Sequence, residues 1–292
     1  MILVTGASGS VGGKVLGELL GRGAELRAMY RSREDAGKAP AGVATVIADF
    51  ADPEGLRAAL GGVQSVYLVC SPVQELVQLE GNMIEACERA GIGHLVLNSA
   101  LGAGNYPKSF PAWHRKVEDK LKGTKLKYTI LRPNTFMQNL LMYFAPTIRT
   151  QNAFYSSVGD SRTSFIDVAD IAAVIADILL SPAEHMGKTY ELNGPEALTY
   201  EQVAEKISRA VGRTIRYVDI PEDAQRQSLL GLGMPSWQVE ALLDLQRYYR
   251  EGVGGGEVDG VLQALLRRAP RTMDAFLAEN KDAFAEAEAA KA

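Results

Sequence analysis

Met1-Ile-Leu-Val-Thr-Gly-Ala-Ser-Gly-Ser-Val-Gly12 is the stretch on which the fold turns. The apolar residues Ile2 to Val4 run as a short strand into Gly6, Gly9 and Gly12. Val11, Val15 and Leu19 then recur on one helical face, with Leu16 and Leu20 beside them. A strand, a tight glycine turn and a fresh helix, in that order, make a diphosphate cradle. Gly6 permits the turn, Gly9 lets backbone approach phosphate, and Gly12 lets helix pack on strand. The exposed N–H groups at the positive end of the helix then hold the anion. Thr5, Ser8, Ser10 and Val11 share the turn and join the candidate cofactor-binding residues.

Strand and helix signals go on alternating, as a parallel sheet with crossover helices requires. Glu25 to Met29, Thr45 to Ala48, Ser65 to Cys70, His94 to Asn98 and Tyr128 to Leu131 read as further strands. Asp52 caps a helix with Pro53 at its first position. Leu76, Leu79, Met83 and Cys87 mark the buried face of the next helix. In the second half, Asp167 opens a helix carrying Ile171, Val174, Ile175, Ile178 and Leu179, and Thr189 to Leu192 is a strand. Thr199 and Gln202 form a capping box, and a helix spans Ser236 to Arg250. Gly252 to Gly256 reads as a flexible break, and the Ala/Glu/Lys-rich tail Ala285 to Ala292 as a frayed end. The expected organisation is a doubly wound Rossmann α/β domain over 1–150, with later segments of about 160–195 returning to its sheet. A smaller, mostly helical α/β lobe over 196–292 would complete the substrate site.

At 292 residues and a formal net charge of −4, the chain shows no basic run or aromatic-basic stripe, so nucleic acid is not the expected partner. No apolar run has the length of a membrane span, and the first residues already form a core strand, which points to a cytoplasmic protein without a presequence. Cys70 and Cys87 lack CxxC or Cys/His spacing, so neither a disulfide nor a metal site is expected. The expected partner is a small aromatic or conjugated molecule, for a monomer or a homodimer.

The end of the second strand, Met29-Tyr30-Arg31-Ser32-Arg33, has no acid before Glu34. A carboxylate there would repel the extra phosphate of NADP, whereas a guanidinium binds it bidentately. Arg31 is therefore the expected phosphate ligand, with Ser32 or Arg33 assisting, against the alternative of a solvated Arg-rich loop. Asp49 and Phe50 follow the third strand, where adenine docks. Cys70 at the end of the fourth strand, Ser71 and Pro72 after it, and Asn98 at the end of the fifth complete the cofactor-facing strand ends.

Gly6-x-x-Gly9-x-x-Gly12, Arg31, Asp49-Phe50, Leu131-Arg-Pro-Asn-Thr-Phe-Met-Gln-Asn-Leu140 and Ser164-Phe-Ile-Asp-Val-Ala-Asp-Ile-Ala-Ala-Val174 together resemble the NmrA-like group of atypical short-chain dehydrogenases. The resemblance spans nearly the whole chain. It implies a seven-stranded Rossmann sheet with a small C-terminal lobe. It also implies NADP(H) as cofactor and, as activities, reduction of quinones or triphenylmethane dyes, isoflavone-type reduction, or nucleotide sensing without turnover. Typical short-chain dehydrogenases carry YxxxK; here His114 falls where Tyr would be and Glu118 where Lys would be. Ser99 matches the catalytic serine position.

One helical turn separates His114 from Glu118, so the carboxylate is placed to orient the imidazole and raise its pKa, making a proton donor. The alternative is an ordinary helix-surface pair or a structural cap on the nicotinamide pocket. Ser99 would bond the nicotinamide amide or the substrate carbonyl. Pro133, Asn134, Thr135 and Phe136, after the sixth strand, are assigned to the cofactor edge of the cleft. Trp113, Phe136, Met137 and Tyr143 would form a flat apolar substrate pocket, with Asn139 supplying a polar bond. Quinones and cationic dyes need less acid catalysis than ketones, so the missing YxxxK argues against alcohol/ketone chemistry more than against hydride transfer. The expectation is an NADPH-dependent reductase of quinone-like or other conjugated aromatic acceptors. A non-enzymatic NADP(H) sensor and a biosynthetic imine or enone reductase are the rivals.

Overall fold

The computed structural model describes residues 1–286; most of the Ala/Glu/Lys-rich tail, residues 287–292, lies outside the described residues. The chain divides into two compact units, one of Met1–Pro133 with Val168–Leu192, the other of Asn134–Asp167 with the chain from Asn193 onward. The first break therefore falls at Pro133, earlier than the expected boundary near 150. Residues 134–150 belong to the second unit.

The first unit begins with β1 (Ile2–Val4), α1 (Ser10–Gly21), β2 (Leu26–Tyr30), α2 (Arg33–Ala36), β3 (Ala44–Ile47) and α3 (Pro53–Ala59). It continues with β4 (Ser65–Leu68), α4 (Leu76–Ala90), β5 (His94–Asn98), α5 (Ser109–Lys122) and β6 (Tyr128–Pro133). The returning segment adds α6 (Val168–Leu180) and β7 (Lys188–Leu192). These seven strands form one sheet in the order β3-β2-β1-β4-β5-β6-β7. Every pairing in it is parallel. Strand order reverses between β1 and β4, and a ligand crevice forms at the carboxyl ends flanking such a reversal.

Local rules explain the elements. Leu3, Val4, Val66, Tyr67, Leu68 and Leu95 to Leu97 are fully buried, as strands covered on both faces must be. Each such side chain contributes about 1.5–3 kcal/mol on burial. Asp52 accepts from the Glu54 N–H at 3.1 Å and Pro53 opens α3. α6 is apolar nearly all round, with Ile171, Val174, Ile175 and Ile178 buried, and it packs along α1. An Arg22–Asp177 ion pair joins the two helices.

The second unit holds two small sheets, Thr163–Ser164 with Ala197–Leu198 and Ala153–Ser156 with Arg216–Asp219. Helices Tyr200–Val211, Glu222–Gly231, Ser236–Arg250 and Met273–Asn280 surround them. The capping box forms, with Gln202 N–H on Thr199 Oγ1 at 3.2 Å and Thr199 N–H on Gln202 Oε1 at 3.0 Å. Phe154, Phe165, Val203, Ile207 and Phe276 fill the core. The glycine segment Gly252 to Gly256 departs from the expected flexible break. Gly255 has φ +103°, and a Cβ on it would lie 2.3 Å from the Tyr249 ring; one on Gly254 would lie 2.1 Å from the Tyr248 hydroxyl. The Gly255 carbonyl accepts from Ser164 N–H at 2.7 Å and from Asn134 Nδ2 at 2.9 Å. Glycine is needed here because aromatic rings press on the backbone. Among the described residues, no helix is long and apolar enough to cross a membrane, and no cluster of His, Cys, Asp and Glu could hold a metal ion.

Candidate active site

The glycine turn follows β1 directly. Gly6 has φ +56°, and a Cβ there would lie 2.7 Å from Val69 Cγ1 in the chain that follows β4. A Cβ on Gly12 would lie 2.2 Å from the Gly6 carbonyl oxygen. Gly9 stands at the N-cap of α1, and no side chain caps the helix. Ser8 and Ser10 are exposed on the turn, and Val11 is buried beneath it. An uncapped helix end, entered through Gly6 and Gly9 at the switch point, is the shape a dinucleotide diphosphate requires. The Thr5 hydroxyl does not fit its expected cofactor role. It is fully buried, donates to Tyr67 O at 3.1 Å and accepts from Val69 N–H at 2.9 Å, stitching β1 to β4.

Arg31 and Arg33 are exposed at the end of β2, and neither makes an ion pair among the described residues. The Ser32 hydroxyl is engaged: it caps α2 by accepting from Asp35 N–H at 3.1 Å and donates to Asp35 Oδ2 at 2.8 Å. Any phosphate contact from Ser32 must compete with that cap. Asp49 Oδ1 accepts from Ala51 N–H at 2.8 Å. Phe50 is half-buried against the sheet core, and its carbonyl accepts from Asn82 Nδ2 at 2.9 Å. Ser71 and Pro72 are exposed beyond β4. Burial pushes the Cys70 thiol up to about 12, so it is neutral, and the charges it feels include Glu80, Arg31 and Asp49. Arg31, Asp49 and Cys70 thus share one edge of the sheet.

At the end of β5, Asn98 Oδ1 accepts from the Tyr67 hydroxyl at 3.2 Å. Ser99 is 2% exposed and its hydroxyl donates to Glu118 Oε1 at 2.7 Å. Arg132 clamps the same carboxylate through Nε to Oε1 at 2.8 Å and Nη2 to Oε2 at 2.7 Å, and Lys122 Nζ adds a bond at 3.0 Å. Burial pushes the Glu118 carboxyl up, but the bonds from Arg132, Ser99 and Lys122 outweigh it and hold the group down to about 2. The expected His114–Glu118 pair is therefore corrected. Glu118 is turned to Ser99 and Arg132. His114 Nδ1 is buried without a hydrogen-bond partner among the described residues, and desolvation drives the imidazole down to about 4 despite the nearby carboxylate. At neutral pH His114 is uncharged. Trp113 packs on the sheet core and edge-on to Phe110, with centroids 5.2 Å apart.

The remaining expected residues lie on the second unit, apart from Pro133, which ends β6 and whose carbonyl accepts from Leu101 N–H. Asn134, expected at the cofactor, is 2% exposed and fully engaged: Nδ2 donates to Asn193 Oδ1 and Gly255 O, each at 2.9 Å, while Oδ1 accepts from Thr135 N–H at 2.7 Å. Thr135 Oγ1 lies 2.7 Å from the buried Tyr249 hydroxyl. Met137, expected in the substrate pocket, is 1% exposed and packs in the apolar core of the second unit. Phe136 and Asn139 are half-buried, and Tyr143 is exposed on a π-helical turn, Leu140–Phe144.

Arg132, Lys122, Tyr249, Glu80 and Asn82 are the residues that sequence reasoning missed. Arg132 had a signal, a lone cation inside the apolar run Tyr128 to Pro133. Glu80 had one too, lying with Leu76, Met83 and Cys87 on the buried face of α4.

The sequence profile of the NmrA-like family matches residues 1–277. The chain belongs to the NmrA-like family. This NmrA-like protein is 35% identical over 286 residues to an NAD(P)H azoreductase of Xenophilus azovorans, covering 97% of this chain and 99% of the relative. It is 30% identical over 248 residues to quinone oxidoreductase 2 of Escherichia coli, covering 84% of this chain and 86% of that one. The crystal structure of an NADPH-dependent quinone oxidoreductase from Escherichia coli complexed with NADPH superposes with a TM-score of 0.85 at 28% identity, covering 97% and 99% of the two chains.

Proposed function

We propose that this NmrA-like protein is an NADPH-dependent oxidoreductase that reduces quinone-like, azo or other conjugated aromatic acceptors by direct hydride transfer. The observation that carries the reading is the cradle at the switch point, where Gly12 packs close on the Gly6 carbonyl and the end of α1 is left uncapped by any described side chain. When bound there, NADPH supplies the hydride; the rest of the chemistry is positioning and exclusion of water. Arg31 and Arg33 supply unpaired cations at the end of β2 for the additional phosphate. With its proton on Glu118, the Ser99 oxygen presents lone pairs and serves as an acceptor, suited to a carboxamide N–H and poorly suited to donate to a substrate oxygen. Arg132 and Lys122 keep Glu118 ionised, which fixes that direction. His114, neutral, offers a polar edge without acting as a strong acid. Acceptors that gain aromaticity or delocalise charge on reduction match a site without a strong proton donor. We further propose that the protein works in the cytoplasm, alone or as a homodimer.

The test follows the reduced-nicotinamide absorbance with purified protein, NADPH or NADH, and a panel of quinones, azo dyes and enones. Acceptor-dependent loss of NADPH, faster than of NADH, is expected. Saturable NADPH binding without turnover on any acceptor would replace the enzyme with a nucleotide sensor.

A further inference from the structure

Glu80 is fully buried on the inner face of α4. Its Oε1 accepts from Cys70 N–H at 3.1 Å, while its Oε2 has no hydrogen-bond partner among the described residues. No Lys or Arg forms an ion pair with it there. A buried carboxylate with a single backbone donor and no cation is better neutral than charged.

Its place gives this acid a consequence. Cys70 opens the Cys70-Ser71-Pro72 segment, and the adjacent Val69 leaves no room for a Cβ on Gly6 and is tied to Thr5. Two residues along α4, Asn82 holds the Phe50 carbonyl at 2.9 Å. The same turns of α4 thus tether two walls of the cradle, the segment beside the glycine turn and the one after β3.

We propose that Glu80 is a positioning residue for the nucleotide: its neutral carboxyl holds the Cys70–Pro72 wall, and its ionisation places an unpaired negative charge behind that wall and weakens NADP(H) binding. This rests on the nucleotide reading above. The titratable groups facing Glu80 are Tyr67 from β4 and Cys70 from the following loop, with Asp49 and Arg31 acting on Cys70 from beyond. From α5, Lys120 lies beside Gly81 and pairs with Glu85. Tyr67 and Cys70 are both raised, so they stay neutral while Glu80 titrates. Burial pushes the Glu80 carboxyl up to about 8, with the Cys70 N–H opposing.

The experiment is NADPH titration by fluorescence from about pH 6.5 to about pH 9.5 on the wild type, Glu80→Gln and Glu80→Met, with melting curves alongside. Wild-type affinity should fall about tenfold across the range, centred near pH 8, while both variants stay flat. Because the folded carboxyl sits above its unfolded value, wild-type stability should fall as pH rises from about 4.5 through about 8, and the variants should lack that loss. A flat wild-type profile overturns the inference whether or not the variants fold, and so does an equal slope in Glu80→Gln. NADPH binding that is saturable yet independent of pH leaves the nucleotide reading standing. Absence of saturation at every pH overturns both.

Discussion

Gly12→Ala tests the cradle at its tightest point. The added methyl would sit 2.2 Å from the Gly6 carbonyl oxygen and 2.9 Å from that of Thr5, where ordinary contact begins at 3.4 Å. Both obstacles are backbone, held by the Thr5 N–H bond to Tyr67 O at 3.1 Å and by the Gly9 N–H bond to Gly6 O at 2.9 Å, so neither yields as a side chain would. The N-terminal turn of α1 must therefore retreat by about 1 Å. Overpacking of this kind costs about 1–3 kcal/mol, partly offset by the ~0.5–1 kcal/mol that alanine gains over glycine in a helix. A protein of this size should lose about 2–4 °C in Tm. The larger effect is on binding: displacing the helix N–H groups from the diphosphate by about 1 Å should weaken NADPH on the order of 100-fold. Gly17→Ala is the control, on the same helix with nothing within 4 Å of its added methyl, and it should stabilise by about 0.5–1 kcal/mol with NADPH affinity unchanged. Melting curves and fluorescence titration read both effects. If Gly12→Ala binds NADPH as tightly as Gly17→Ala, the close approach of helix to turn does not form the phosphate site.

Arg31→Glu should weaken NADPH by about 10–100-fold while NADH changes less than about threefold; equal losses in parallel titrations would remove Arg31 from the phosphate site. Glu118→Gln leaves Arg132 and Lys122 without their carboxylate and lets the Ser99 proton turn away, so stability should fall by about 2–4 kcal/mol in urea titrations. Its turnover should drop with NADPH affinity kept within about threefold, and unchanged turnover would make the Ser99–Glu118–Arg132 network purely structural. His94 is buried, its Nε2 lies 2.9 Å from Thr129 Oγ1, and burial drives it down to about 4. A histidine depressed in the folded state contributes stability above about pH 6.5 that is lost as pH falls toward about 4, on the order of 3 kcal/mol here. His94→Leu should melt with a shallower acid slope than the wild type; His114 supplies a second such term, so part of the slope remains.

The β1–turn–α1 unit was legible because each residue there obeys a local rule and the rules agree. Short apolar runs likewise placed the strands to within a residue or two: β2 is shifted by one, and β6 runs on to Pro133 because the backbone stays paired with β7. Long-range competition was not legible. The spacing of His114 and Glu118 sets their proximity, but Arg132, fourteen residues further on in β6, takes the carboxylate. Glycines at 254 and 255 read equally as freedom or as close approach, and only the placement of Tyr248 and Tyr249 decides between them. Met137 and Asn134 carry pocket-like chemistry, yet one is sealed in apolar packing and the other is saturated by backbone and amide partners.

The discontinuity of the first unit has a consequence for synthesis. α1 leaves the ribosome some 150 residues before α6, the helix that packs along it. Until Val168–Leu180 emerges, α1 lacks that neighbour and Arg22 lacks Asp177. β6 meanwhile stands as an open edge until Lys188–Leu192 pairs with it. The nascent glycine turn is thus set in its final frame only after the second unit has been interrupted. A fragment ending at Pro133 would carry every residue of the diphosphate turn but not the helix that braces it.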